Sequence, residues 1–129
     1  MSSDIYRENI LEYYRNPRNH GSIPDADIIL RDTNPLCGDD IEISIKIIGD
    51  KIEEIKFKGK GCAISQSSVS MLTEKLKGKD IESARNIDKE YILKMLGIEI
   101  NASRLKCAML GIKVIKLGIY NYLGKKINQ

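Results

Sequence analysis

The sequence predicts an α+β fold: a small three-stranded antiparallel sheet with helices packed on one face and a long C-terminal helix. Three observations predict it. Residues 40–48, DIEISIKII, alternate without a break, with Ile41, Ile43, Ile45 and Ile47 to one side and Glu42, Ser44 and Lys46 to the other. A Gly49-Asp50 turn follows, and KIEEIKFKG returns as a partner strand. Residues 101–124 carry Leu105, Ala108, Ile112, Ile115, Ile119 and Tyr122 at helical spacing.

The elements follow in order. SDIYRENILEYYRNP is a helix capped by Ser3 or Asp4, with Tyr6, Ile10 and Tyr13 or Tyr14 on one face and Pro17 at its end. NPRNHGSIPDAD is a loop by its Pro, Gly and Asn content. IILRDT, residues 28–33, is the first strand, and 40–48 is the second. In the third, Ile55 and Phe57 face inward and Glu54, Lys56 and Lys58 outward, which leaves Ile52 out of phase; a bulge or strand-end shift near it restores the pattern. The residues after Cys62 form a helix with Ile64, Ser68, Leu72 and Leu76 in one stripe and Gly78 as its stop. Ser65, Ser67, Ser68 and Ser70 are small enough for close packing against the sheet. KDIESARNIDKEYILKMLG holds one or two short helices, and Asn101 or Ser103 caps the last helix.

Composition bounds the function. A chain of 129 residues forms one domain, 1–129, and buries a core without disulfides. With no Trp and one Phe, aliphatic side chains must build that core. A net charge of +3 is too weak to argue for nucleic acid. No apolar run approaches the ~18 residues of a membrane span. The start, MSSDIYREN, lacks a signal-peptide layout, so the expected location is cytoplasmic, where thiols stay reduced.

The chemistry-bearing residues are three cysteines, Cys37, Cys62 and Cys107, with no CxxC pair among them. That argues against a zinc finger or a thioredoxin-type pair. Three buried, inert thiols are the bland alternative. Local context weighs against it, because each cysteine sits at an element boundary. Cys37, in NPLCGDD, precedes the second strand; Cys62, in GKGC, joins the third strand to a helix; Cys107 lies in the first turns of the last helix. A helix N-terminus carries partial positive charge and free N–H groups, which favour the thiolate that binds metal or attacks sulfur. Gly61 lets the backbone turn tightly beside Cys62, and Gly38 does the same between Cys37 and Asp39. If the segments converge, Cys37, Asp39, Cys62 and Cys107 offer three sulfurs and one oxygen, enough for tetrahedral Zn²⁺ or a di-iron cluster. One carboxylate among thiolates weakens soft-metal binding and eases release.

These stretches resemble a known family. NPLCGD, FKGKGCAISQSSVSML and RLKCAMLG, with ILEYYRNPRNHG before them and GKDIE after the central helix, are similar to the IscU/SufU/NifU N-terminal family of iron–sulfur cluster assembly scaffolds. The resemblance runs from about residue 5 to residue 124, and the ordered set of CGD, GxGCAIS and KC carries it. It implies the same α+β fold and a site of Cys37, Asp39, Cys62 and Cys107 for a transient [2Fe–2S] cluster or Zn²⁺. It also implies two kinds of partner: a pyridoxal-phosphate cysteine desulfurase that delivers persulfide sulfur, and apoproteins that receive the cluster. Two departures stand out. Lys106 occupies the position where the IscU branch has His, as in the SufU branch. EINASRLK stands where the IscU branch has LPPVK, so an Hsp70-type chaperone is not an expected partner.

The expected function is therefore a non-enzymatic scaffold, monomer or homodimer, that accepts sulfur, builds a cluster and passes it on. The alternative is a zinc-dependent sulfurtransferase, which Lys106 favours. Cys107 is the expected persulfide acceptor, on the ground that the last helix start is the most exposed of the three places; Cys37 is its competitor. Lys106 is expected to pair with Asp39 when the site is empty. His20 is read as a solvated loop residue and Asp40 as the start of a strand.

Overall fold

The computed structural model describes residues 2–36 and 38–127. Helix α1 (Ser2–Arg15) leads through a loop to strands β1 (Ile28–Asn34), β2 (Asp39–Ile48) and β3 (Lys51–Lys60). Helices α2 (Ala63–Leu76), α3 (Ile81–Arg85), α4 (Lys89–Leu96) and α5 (Ala102–Ile127) follow. The strands form one antiparallel sheet in the order β1-β2-β3. The architecture is the expected one. The cap is not, because the backbone of Ser3 and Asp4 is already helical.

Strict alternation in β2 sorts its side chains. Ile41, Ile43 and Ile45 are fully buried and meet Ile52, Ile55 and Phe57 of β3 on the same face. The β2–β3 register shifts after Lys46, so that Lys46 faces Glu54 but Ile47 faces Ile52. Glu53 is the extra residue, and this bulge returns Ile52 to the core. The opposite face is polar and holds cross-strand pairs such as Arg31–Asp40 and Lys58–Glu42.

Helix α2 departs from the expected single stripe. Every residue from Ser65 to Thr73 is buried, because the helix packs on α1 and α5 as well as over β3. Ser68 and Ser70 thus bond neighbouring segments and not the sheet. The Ser68 hydroxyl donates to the Ala108 carbonyl of α5 at 2.8 Å, and the Arg18 N–H donates to Ser70 Oγ at 2.8 Å. Where α2 crosses α5, a Cβ on Gly111 would stand 2.9 Å from Val69 Cβ, so glycine sets how close the two helices come. The apolar stripe of α5 seats as predicted, with Ala108, Ile112, Ile115 and Ile119 at 2% exposure or less. Among the described residues no helix is long and apolar enough to cross a membrane.

Candidate metal and sulfur site

The site forms where the ends of β2, β3, α2 and α5 meet. Parity again decides which aspartate enters it. Asp39 shares the inward face of β2 with Ile41 and is 1% exposed. Asp40 faces outward, and the Arg31 guanidinium grips it; that hydrogen-bonded pairing holds its carboxyl below the usual carboxylate range. Asp40 is thereby occupied elsewhere.

Cys62 is the N-cap of α2, in extended conformation, and its sulfur accepts the Ser65 N–H at 3.5 Å. Its own N–H donates to Asp39 Oδ1 at 2.9 Å, while Asp39 Oδ2 lies 4.0 Å from the sulfur. The backbone must pass extremely close to Asp39 for this. At Gly61, φ is +151°, and a Cβ there would stand 2.2 Å from Asp39 Oδ1 and 2.9 Å from Ser65 Oγ. Only glycine leaves room for the carboxylate. Gln66 supports the arrangement from behind: its Nε2 donates to Ser65 Oγ at 3.3 Å, and that hydroxyl donates to the Cys62 carbonyl at 3.2 Å.

Cys107 arrives on α5, carried inward beside Ala108 by the helix stripe. One ligand atom each from Asp39, Cys62 and Cys107 lie within 4.8 Å of one another. Two sulfurs on a common tetrahedral Zn²⁺ stand about 3.8 Å apart at ordinary bond lengths. Small side-chain adjustments therefore suffice, and sulfur with a carboxylate oxygen suits zinc or iron. Cys37 lies outside the described residues; its neighbours Leu36 and Gly38 are exposed.

Two expectations are corrected. Cys107 is fully buried, whereas Cys62 is partly exposed, so exposure gives no ground for Cys107 as the acceptor. The helix start is open, but the stripe turns Cys107 inward with the core. Lys106 is exposed and makes no ion pair with Asp39 among the described residues. It is about 100° around the helix from Cys107, and Asp39 already accepts the Cys62 N–H. His20 packs edge-on against Phe57 at 5.5 Å and is no part of the ligand group.

An open cleft of about 720 Å³ leads to Cys62, lined by Leu36, Ala102, Ser103, Arg104 and Lys106. Sequence reasoning missed Ser65, Gln66, Leu36 and Arg104. Ser65 was discoverable, since it stands three residues after a cysteine that opens a helix.

Residues 5–129 match the model of the NifU-like N-terminal domain. The chain belongs to this family. Within the NifU-like family it is 39% identical over 132 aligned residues to a protein of Bacillus subtilis named zinc-dependent sulfurtransferase SufU, with 89% of each chain covered. It is 36% identical over 121 residues to an iron–sulfur cluster assembly scaffold protein IscU of Archaeoglobus fulgidus, covering 94% of this chain and 78% of that one. A solved structure from Fervidobacterium islandicum AW-1, described as a putative iron–sulfur cluster assembly scaffold for the SUF system, superposes with a TM-score of 0.75 at 30% identity. That match covers 92% of this chain and 99% of the other.

Proposed function

We propose that this protein is an iron–sulfur cluster assembly scaffold. It accepts sulfur from a cysteine desulfurase, holds a transient [2Fe–2S] cluster on Cys37, Asp39, Cys62 and Cys107, and passes it to apoproteins. The observation that carries this reading is the convergence of Asp39, Cys62 and Cys107 at the end of a cleft. Relatives named as scaffolds support it.

The residues divide the work. At the α2 N-terminus the Ser65 N–H points at the Cys62 sulfur and holds it at the mouth of the site. Asp39 has one oxygen tied to the Cys62 backbone, which leaves the other for the cargo. A monodentate carboxylate is the ligand most readily exchanged. In sulfur transfer a scaffold thiolate attacks the outer sulfur of the donor persulfide. The donor S–S bond breaks, the donor leaves as thiolate, and a new S–S bond forms on the scaffold. Two electrons from an external reductant then convert that sulfur to sulfide and restore the thiolate. The burial of Cys107 shifts the proposed acceptor to its competitor Cys37, with Cys107 as a ligand. Persulfide labelling after desulfurase treatment should survive in Cys107→Ser and vanish in Cys37→Ser; the reverse pattern refutes that assignment.

Anaerobic reconstitution with iron, cysteine and a desulfurase tests the whole reading. Thiolate-to-iron absorption at about two irons per site-bearing unit is expected, and its absence sinks the scaffold. A second reading, zinc-dependent sulfurtransfer, is favoured by Lys106 next to Cys107 and by the identity to the relative named SufU. There the same four residues would hold Zn²⁺, which supplies a Lewis acid that keeps thiolates deprotonated. Stimulation of desulfurase turnover by the zinc-loaded protein, with no cluster formed, would select it.

A further inference from the structure

A second groove of about 430 Å³ runs beside the cleft, between the end of β1 and the outer face of α5. Leu110 and Met109 form its apolar floor, and Thr33 to Leu36 form its far wall. Leu36 and Lys106 line both cavities, so they stand as a ridge between the groove and the route to Cys62. Leu36 is 82% exposed, a large apolar side chain held out in solvent.

The charges around this surface have one sign in excess. Lys106 and Lys113 are seven residues apart on α5, so they share a face and stand about 10 Å apart along its axis. Both line the groove. Arg104 lines the cleft together with Lys106. Lys113 has a partner, the Asp32 carboxylate at 3.0 Å. Arg104 and Lys106 have no ion pair among the described residues. Lys106, Lys113 and Arg104 thus bring three positive charges to the two cavities, of which Asp32 offsets that of Lys113, around an apolar floor and an exposed leucine.

We propose that this groove and its ridge are the docking surface for an acidic segment of the sulfur-donor protein, one that carries an apolar side chain between carboxylates. The inference rests on the scaffold reading above and adds to it the chemistry of the partner. The apolar residue seats on Met109 and Leu110 while its neighbouring carboxylates meet Lys106 and Lys113. An extended chain covers the distance between the lysines in about three residues. The donor is the occupant because the ridge is continuous with the cleft that ends at Cys62. A protein anchored in the groove therefore reaches over Leu36 with its sulfur aimed at the thiols. Exposed charges of this kind govern encounter rate and salt dependence more than final affinity.

The test uses the full chain, a pyridoxal-phosphate cysteine desulfurase, and the variants Lys113→Glu and Lys106→Glu/Lys113→Glu, with circular dichroism as a check on folding. The double reversal should raise the scaffold concentration for half-maximal stimulation of the desulfurase by roughly fivefold to tenfold at low salt. The wild-type value should climb with added salt, and the double variant should lose that dependence. Loading with iron and inorganic sulfide, which needs no donor, should match wild type in Lys113→Glu. Unchanged half-saturation in the double variant overturns the docking surface. So does normal loading by the desulfurase combined with slowed transfer to an acceptor protein, which would give the groove to the recipient. Failure of wild type to take up iron and sulfide chemically would instead remove the scaffold function. The docking surface would still stand or fall on desulfurase stimulation by itself.

Discussion

Replacing Gly61 by alanine probes the most crowded point of the site. The new methyl would stand 2.2 Å from Asp39 Oδ1, so the carboxylate must leave the Cys62 N–H that it accepts at 2.9 Å. A hydrogen bond to a charged acceptor is worth about 1.5–3 kcal/mol, and an L-residue in positive-φ backbone costs about 1–2 kcal/mol. The sum is roughly 2.5–5 kcal/mol, a large part of the stability of a domain this size and about 10–20 °C in Tm. Gly38→Ala supplies the comparison. Its φ is +70°, but a Cβ there meets nothing within 4 Å, so it carries only the backbone cost of about 1–2 kcal/mol. Metal-free urea denaturation of both variants gives the difference, and competition against a chromogenic chelator gives zinc affinity. Gly61→Ala should lose about tenfold or more in affinity because Cys62 is displaced with its N–H. Equal stability losses in the two variants, together with wild-type zinc affinity in Gly61→Ala, would refute the account of Asp39 as the anchor of Cys62.

Three further outcomes follow from named contacts. Asp39→Ala should lower metal-free stability by about 1–3 kcal/mol, since the Cys62 N–H loses its acceptor. The same variant should slow cluster release in a transfer assay; abolition of metal binding as complete as in Cys62→Ala would disprove the exchange role. The Tyr13 hydroxyl donates to Glu74, and that bond, then partial burial, then the Glu74 charge hold the phenol above its ordinary value, against the pull of Arg18. The folded state thus favours the protonated form. This contribution is present below the ordinary value of about 10 and fades as pH rises through the folded one. Urea midpoints measured from pH 8 to 11 should fall less steeply in Tyr13→Phe than in wild type. Ser68→Ala removes a buried 2.8 Å bond to the Ala108 carbonyl and should cost about 1 kcal/mol, read from denaturant midpoints at constant m-value.

The local pattern of the chain was enough to determine its elements. Period-two alternation from Ile41 to Ile47 allows one face to be buried, and the misfit of Ile52 already called for a bulge or strand-end shift near it, which the structure supplies at Glu53. Cys62 follows the glycine-rich end of a strand and precedes a helix, so its place at the helix start was legible too. Each of these follows from contacts within a few residues. Exposure and pairing do not, because they depend on what other segments bring to the same place. The start of α5 is open to solvent, yet Cys107 is fully buried because its stripe faces α2 and the sheet. The burial of α2 on nearly every side comes from three elements closing on it, and its own sequence announces only the one stripe from Ile64 to Leu76. Asp39 and Asp40 are chemically identical neighbours; the pleat of β2 sends one to the thiols and the other to Arg31. The convergence of Asp39, Cys62 and Cys107 within 4.8 Å is likewise a product of packing, since four separate elements must end at one point before any ion could be held there.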